Sequence, residues 1–264
     1  MMQTYRVSAF NTAQESENKI HDDDVARRFG FTGGLVPGVD VYAYMTQPPV
    51  ARWGRAWLER GTAECRFDRP VYDGKFADVT PQADAEGMTL LVESEGVRCA
   101  TGRADLPAVE LPPSLAAFPH CAPPLERPLA DEASLAVGRY FGMAPLVYDE
   151  AFAANYLRDL REVLPIYQQE GLVHPGLILR MGNWVLGTNV KLGPWIHVGS
   201  AVRHFATGKV GDAITGRAQV VANYTHKGHK FVELDVLVLA NEARPLARIR
   251  HTAIYRPRQV AQAA

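Results

Sequence analysis

The sequence predicts an α+β chain built from two similar halves, each a long helix covered by an antiparallel meander. Three observations carry this. Leu35-Val36-Pro37-Gly38 opens an apolar, helix-like segment from Val39 to Leu58, and Leu172-Val173-His174-Pro175-Gly176 opens another from Leu177 to Leu186. A train of β-type segments joined by tight turns follows each of them. Finally, seven of the eighteen prolines crowd between Pro107 and Pro128, near the middle of the 264 residues. Proline has no amide donor and fixes its own φ, so that run is neither central strand nor helix. It reads as a stiff, extended linker over 107–130, with one half in 1–106 and the other in 131–264.

The elements follow in order. Asp22-Asp23-Asp24 before Val25-Ala26-Arg27-Arg28 are first-turn acids that suit a helix dipole. Pro37 and Pro175 stand near helix starts, where a missing amide costs nothing. Pro48-Pro49 interrupts the first long helix, so a kink or two shorter helices are expected there. In the first half the strands are Thr89–Glu93 and Val97–Leu106, turning at Glu95-Gly96. In the second they are Ala218–Tyr224 and Lys230–Leu239, turning at Lys227-Gly228, and then Ala247–Tyr255. Alternation through Phe231-Val232-Glu233-Leu234-Asp235-Val236-Leu237 suits a strand with one wetter face. A meander with one apolar face needs a cover, and the helix of the same half supplies it. Arg66-Phe67 before Val71-Tyr72-Asp73-Gly74 parallels Arg203-His204-Phe205 before Val210-Gly211-Asp212, which strengthens the duplication.

Composition excludes several classes. The chain is 47 % apolar and 22 % charged, with 28 basic and 29 acidic side chains, so it can bury a core and is not disordered. A net charge of −1 gives nucleic acid or an anionic membrane no electrostatic footing as a partner. No apolar run approaches the roughly eighteen residues of a membrane span, and Met1-Met2-Gln3-Thr4-Tyr5-Arg6 lacks a signal-peptide core. Cys65, Cys99 and Cys121 show no CxxC spacing and read as reduced thiols of a cytoplasmic protein. Nothing matches a P-loop, a GxGxxG fingerprint, HExxH or Gly-x-Ser-x-Gly.

The segment from Asn18 to Gly38 carries a resemblance. Asn18-Lys19-Ile20-His21, then Val25-Ala26, Gly30-Phe31, Gly33-Gly34 and Val36-Pro37-Gly38, resemble the MaoC-like hotdog dehydratases. These include the (R)-specific enoyl-CoA hydratases, whose motif runs Gly-Asp-x-Asn-Pro-[Leu/Ile/Val]-His. With its duplication the whole chain is similar to a double-hotdog member of that superfamily, α+β with each antiparallel sheet wrapped around a central helix. Ile196-His197-Val198-Gly199-Ser200 gives the second half weaker support. The resemblance implies an acyl-CoA or acyl-carrier thioester that is hydrated or dehydrated at its β-carbon. It also implies halves paired as an internal pseudo-dimer, with a homo-oligomer expected. No metal or organic cofactor is needed, because the thioester itself acidifies its α-position.

The resemblance assigns His21 as the acid/base, Asn18 as the group that orients it, and Gly38 as the amide donor to the thioester oxygen. Val36 and Pro37 then shape the substrate contact at the helix mouth. The sequence departs from the motif at three positions: Ser16 stands where the aspartate belongs, Glu15 where the glycine belongs, and Lys19 where the proline belongs. A serine alone is no general base at neutral pH, so Glu17 or Ser16 is expected to substitute. Plainer alternatives stand beside these roles: His21 as a helix-start surface residue, Gly38 as a tight structural glycine, Glu17 as a solvated carboxylate.

The second half has no Asn-x-x-His pattern; the position aligned with His21 falls near Asp159, and this half is expected to shape an acyl channel. His174, before Pro175-Gly176, is a candidate for a second cleft, and His197 reads as a satisfied core residue. Trp53, Trp57, Trp184 and Trp195 are expected mostly in the core. His226-Lys227-Gly228-His229-Lys230 reads as a solvated turn in preference to a metal or phosphate patch. Arg244, Arg248, Arg250, Arg256 and Arg258 suit either coenzyme A phosphates or an exposed sheet face. A thioesterase, with Glu17 activating water, and a non-catalytic thioester binder are the rival functions.

Overall fold

The polypeptide enters as an edge strand, β1 (Tyr5–Ser8), and after a single 3-10 turn at Lys19–His21 forms a short helix, α1 (Asp23–Arg28). The structure is a computed structural model that describes residues 2–14 and 16–258. Asp22 caps α1 by accepting from the amides of Asp24 and Val25. The long apolar segment then breaks into three helices, α2 (Gly38–Met45), α3 (Gln47–Trp53) and α4 (Arg55–Arg60). The expected break at Pro48-Pro49 is present, because these prolines occupy the first turn of α3. A second, unforeseen break falls at Gly54, whose φ of 57° no other residue type adopts so freely.

Strands β2 (Thr62–Phe67), β3 (Phe76–Ala83), β4 (Gly87–Ser94) and β5 (Val97–Asp105) complete the first half. Glu95 and Gly96 both have positive φ, the geometry of a two-residue hairpin turn. Pro81 is tolerated in β3 because it lies past the end of β1, where that edge has no partner. The second half contains β6 (Tyr140–Gly142), β7 (Leu146–Val147), α5 (Glu150–Asp159), α6 (Ile166–Glu170) and α7 (Pro175–Asn189). It ends with β8 (Ile196–His204), β9 (Ala213–His226), β10 (His229–Ala240) and β11 (Arg244–Arg256). His226 to Lys230 form the β9–β10 hairpin, with Lys227 and Gly228 at positive φ, as the solvated-turn reading expects.

All strands join one eleven-stranded antiparallel sheet, in the order β1-β3-β4-β5-β2-β8-β11-β10-β9-β6, with β7 beside β9. The halves meet where β2 pairs with β8, Thr62 opposite Arg203 and Arg66 opposite Gly199. The duplication reaches individual hydrogen bonds. Leu35 bridges Tyr72 and Leu172 bridges Lys209, while the Val36 amide donates to Val71 and the Val173 amide to Gly208. Helices α2 and α7 lie inside the curve of the sheet and against each other, with Gly176 close against Ala43. Every residue from Val39 to Met45 is buried, which explains why α2 shows so little amphipathic pattern.

The proline-rich segment runs without long secondary structure and carries one 3-10 turn at Leu115–Ala117. It does not hang free. Phe118 and Leu115 pack on Leu237 and Leu239, and Arg217 donates to the Phe118 carbonyl. This cover accounts for a difference from the sequence expectation: β10 is buried on both faces from Asp235 to Ala240. No helix among the described residues is long and apolar enough to cross a membrane.

Candidate functional site

His21 closes the 3-10 turn, and its ring is fixed from behind. The turn is capped by Asn18, whose Oδ1 accepts from the Ile20 amide. The His21 Nδ1 lies 2.6 Å from the carbonyl oxygen of Leu35. A carbonyl only accepts, so Nδ1 carries the proton and Nε2 is the bare nitrogen. Asn18 Nδ2 stands 3.4 Å from that Nε2 and also donates to the Trp195 carbonyl at 3.0 Å. The Trp195 amide returns a bond to Asn18 Oδ1 at 3.2 Å. Asn18 therefore ties the His21 loop to the second half of the chain, 177 residues away.

The glycine cluster serves this loop. A β-carbon on Gly34 would overlap the carbonyl oxygen of His21, and the Gly34 amide donates to Asp23 Oδ1 at 2.7 Å. Asp23 is thus more than a first-turn acid. Asn11, which sequence reasoning missed, donates to the His21 carbonyl at 3.0 Å. Gly34→Ala is expected to cost about 1–3 kcal/mol by forcing these backbones apart. Urea unfolding would measure that loss, and the His21 ring resonances should shift with it.

Two cavities meet at His21. One, of about 290 Å³, is mostly apolar and reaches Ile20, Leu35, Val36, Val41, Phe67 and Ile254. The other, of about 320 Å³, is more polar and reaches Ser16, Glu17, Arg127, Arg180 and Trp184. Asn18, His21, Pro37, Asn183 and Trp195 line both. Gly38 opens onto the apolar one at the start of α2. Pro37 provides no side-chain cap, and among the described residues the Gly38 and Val39 amides have no acceptor. Two backbone donors of a helix start therefore lack a protein acceptor, and Gly38 lines the same cavity as His21.

The corresponding mouth in the second half is shut. His174 caps α7 with its own Nδ1, which accepts from the Gly176 amide at 3.0 Å, while Nε2 donates to Glu162 at 2.9 Å. The ring is wholly buried against Tyr167. The second cleft considered for His174 is thus replaced by a capped, filled helix start. Asp159, in the aligned position, is the last residue of α5.

Burial pushes the His21 imidazole below its usual range, and the Leu35 carbonyl and the Asp40 charge only partly oppose this. It is neutral at neutral pH, with a lone pair on Nε2. The substitutes for the aspartate have other partners. Glu17 is exposed and forms two bonds to Arg127 at 2.8 and 3.1 Å, which lower its carboxyl below the usual range. Ser16 Oγ accepts from the Asn18 amide at 3.1 Å. Glu15 lies outside the described residues.

Sequence reasoning missed one charged group. Asp40, wholly buried in α2, pairs with Arg180 of α7, and Thr12 Oγ1 donates to Asp40 at 2.6 Å. Arg180 in turn donates to Thr12 at 2.8 Å. The available signal was one acid and one base, each alone in an apolar helix. The core expectation holds for Trp57 and for Trp195, which is buried and also walls the cavities, while Trp184 is a partly buried cavity wall. Arg248 and Arg244 are taken up by Asp235 and Asp212, at 2.6 and 2.7 Å, consistent with the sheet-face reading.

No family model matches the sequence, and no curated protein does. Solved structures match over nearly the whole length. A MaoC-like dehydratase is 14 % identical, with a TM-score of 0.61, over 96 % of this chain and 98 % of its own. A conserved hypothetical protein of Mycobacterium tuberculosis, described as having a double hotdog fold, is 13 % identical, with a TM-score of 0.62, over 96 % of both chains. A Novosphingobium aromaticivorans protein named as a thioesterase is 12 % identical, with a TM-score of 0.53, over 96 % of both. These likenesses show the fold: the chain is an α+β double hotdog.

Proposed function

We propose that the protein hydrates or dehydrates an acyl thioester, carried on coenzyme A or an acyl carrier, at the β-carbon. One observation carries this reading. A neutral, half-buried imidazole with an unprotonated Nε2 shares a mostly apolar cavity with an uncapped helix start. In this reading the acyl group lies in the apolar cavity with its thioester oxygen toward the Gly38 amide, past Val36 and Pro37. Water bonds to the β-carbon while Nε2 takes one of its protons. The double-bond electrons move onto the thioester oxygen, where the helix-start amide stabilises the enolate. The imidazolium then returns its proton to the α-carbon, so that one residue serves as base and acid. Asn18 holds the ring and the Trp195 wall in register. Glu17 and Ser16 support the loop by the partners described above and need not carry the proton.

Purified protein, wild type beside His21→Ala, is assayed on short and medium trans-2-enoyl-CoAs, following the enoyl chromophore and free thiol together. Chromophore loss without thiol release is expected, falling about 10²–10⁴-fold in the variant. Thiol release would make the protein a thioesterase, the reaction for which one structural neighbour is named. Silence in both channels from folded protein would leave thioester binding without turnover.

A further inference from the structure

A second histidine stands at the helix mouth, contributed by the other half of the chain. His197 of β8 lines the apolar cavity, is 7 % exposed, and packs edge-on to Phe67 at 4.9 Å. Its Nε2 bonds Ser200 Oγ at 2.8 Å, and Ser200 Oγ bonds Nδ1 of His251 at 3.2 Å. The two rings lie 4.3 Å apart. At the near end of this chain His197 Nδ1 has no partner and is closed off from bulk water; at the far end His251 Nε2 has none either.

The position of Nδ1 is specific. A β-carbon on Gly38 would lie 3.1 Å from it and 3.0 Å from Phe67 Cε2. Because a β-carbon is about 2.5 Å from its own amide nitrogen, Nδ1 is within about 5.6 Å of the Gly38 nitrogen. A single oxygen can bridge that separation once the side chains that now close Nδ1 off from solvent give way to the ligand. A side chain at residue 38 would fill the space between the two nitrogens.

We propose that His197 Nδ1 is the second donor to the thioester oxygen, acting with the Gly38 amide, so that the second half supplies a catalytic residue to the site of the first. This rests on the function proposed above. The proton order along the chain is compatible with it. With Nδ1–H donating to the ligand, Nε2 accepts from the Ser200 hydroxyl, and Ser200 accepts from His251 Nδ1–H. The one group left without a partner is then a lone pair on His251 Nε2. The reverse order moves the orphaned N–H to His251; without a ligand each order leaves one ring N–H lacking an acceptor, so a ligand oxygen at Nδ1 is what selects the first. Ser200 and His251 are positioning residues that fix the donor tautomer of His197. Burial and the neighbouring His251 push the His197 imidazole well below its usual range, so the donor is a neutral ring and not a cation.

The test separates this donor from the function it serves. Butyryl-CoA labelled with ¹³C at the thioester carbonyl cannot be hydrated, so its carbonyl stretch in the bound state reports hydrogen bonding without turnover. In wild type the band is expected to move to lower frequency than in water. His197→Leu should remove at least half of that movement, while His197→Asn, which keeps an amide near the Nδ1 position, should retain most of it. On trans-2-butenoyl-CoA, kcat should fall about 10²-fold in His197→Leu with KM little changed, and less than tenfold in His197→Asn. Ser200→Ala, a smaller change with a lower risk to folding, should fall between them. A band in folded His197→Leu or Ser200→Ala that matches wild type overturns the donor role and leaves the proposed function standing. Absence of thioester binding by the wild type overturns both.

Discussion

Acidification from about pH 6 toward pH 4 is expected to destabilise the protein by about 4 kcal/mol per pH unit. The cause is three buried imidazoles. Burial pushes His204 down to about 4 and His251 down to about 3; burial and then His251 push His197 well below the usual range. In the unfolded chain each takes its proton near pH 6.5. Above that value neither state holds the protons and the three contribute nothing. Below it the unfolded chain gains three protons that the folded one refuses, each worth about 1.4 kcal/mol per unit. The loss continues until the folded rings charge. A net stability of about 5–15 kcal/mol is exhausted within a few units at that slope. Urea midpoints at pH 7, 6, 5 and 4.5 measure it. His204→Phe, which keeps a ring against Trp57, should remove about a third of the slope. A stability unchanged from pH 7 to pH 5 would mean that these rings charge within the folded protein.

The same histidines show where the sequence could be read and where it could not. The hairpin turns at Glu95-Gly96 and Lys227-Gly228, the helix starts at Gly38 and Pro175 and the twofold repeat were legible because they depend on local chemistry. Glycine takes positive φ, proline starts helices, and alternating residues line one face of a strand. The His21 loop was legible through its family-like spacing. The wall it faces was not: Asn18 meets Trp195, and Gly38 meets His197, across more than 150 residues. The pairing of β2 with β8 and the packing of α2 on α7 bring them together, and such long-range contacts across a duplication leave no periodic trace in either strand. The apparent wet face of β10 failed for the same reason, since its cover is the proline-rich segment. His174 shows the limit of the repeat. Its Pro-Gly context matches the first helix mouth, but an added histidine turns an open helix start into a capped one. The two halves thus share a backbone plan and differ in whether the helix start is open or capped.

The Asp40–Arg180 pair is a buried ion pair that joins the two halves. Asp40→Asn or Arg180→Met alone is expected to cost about 3–5 kcal/mol, because each leaves a buried charge without its counterion. Replacing both should cost less than either, since two neutral side chains of similar volume leave no charge to solvate. Thr12→Val, which removes only a hydrogen-bond partner, should cost about 1 kcal/mol. Stability alone does not distinguish a structural tie from one that also tunes the site, but His21 does. The Asp40 charge raises the proton affinity of His21 and the Arg180 charge lowers it. Asp40→Asn should therefore move the His21 titration further down, and Arg180→Met should move it up toward the ordinary imidazole range. Following the His21 ring protons by NMR across pH in the two variants reads this directly. Opposite shifts would show the pair setting the charge state of the imidazole across the helix interface. Equal shifts, or none, would confine Asp40 and Arg180 to holding α2 against α7.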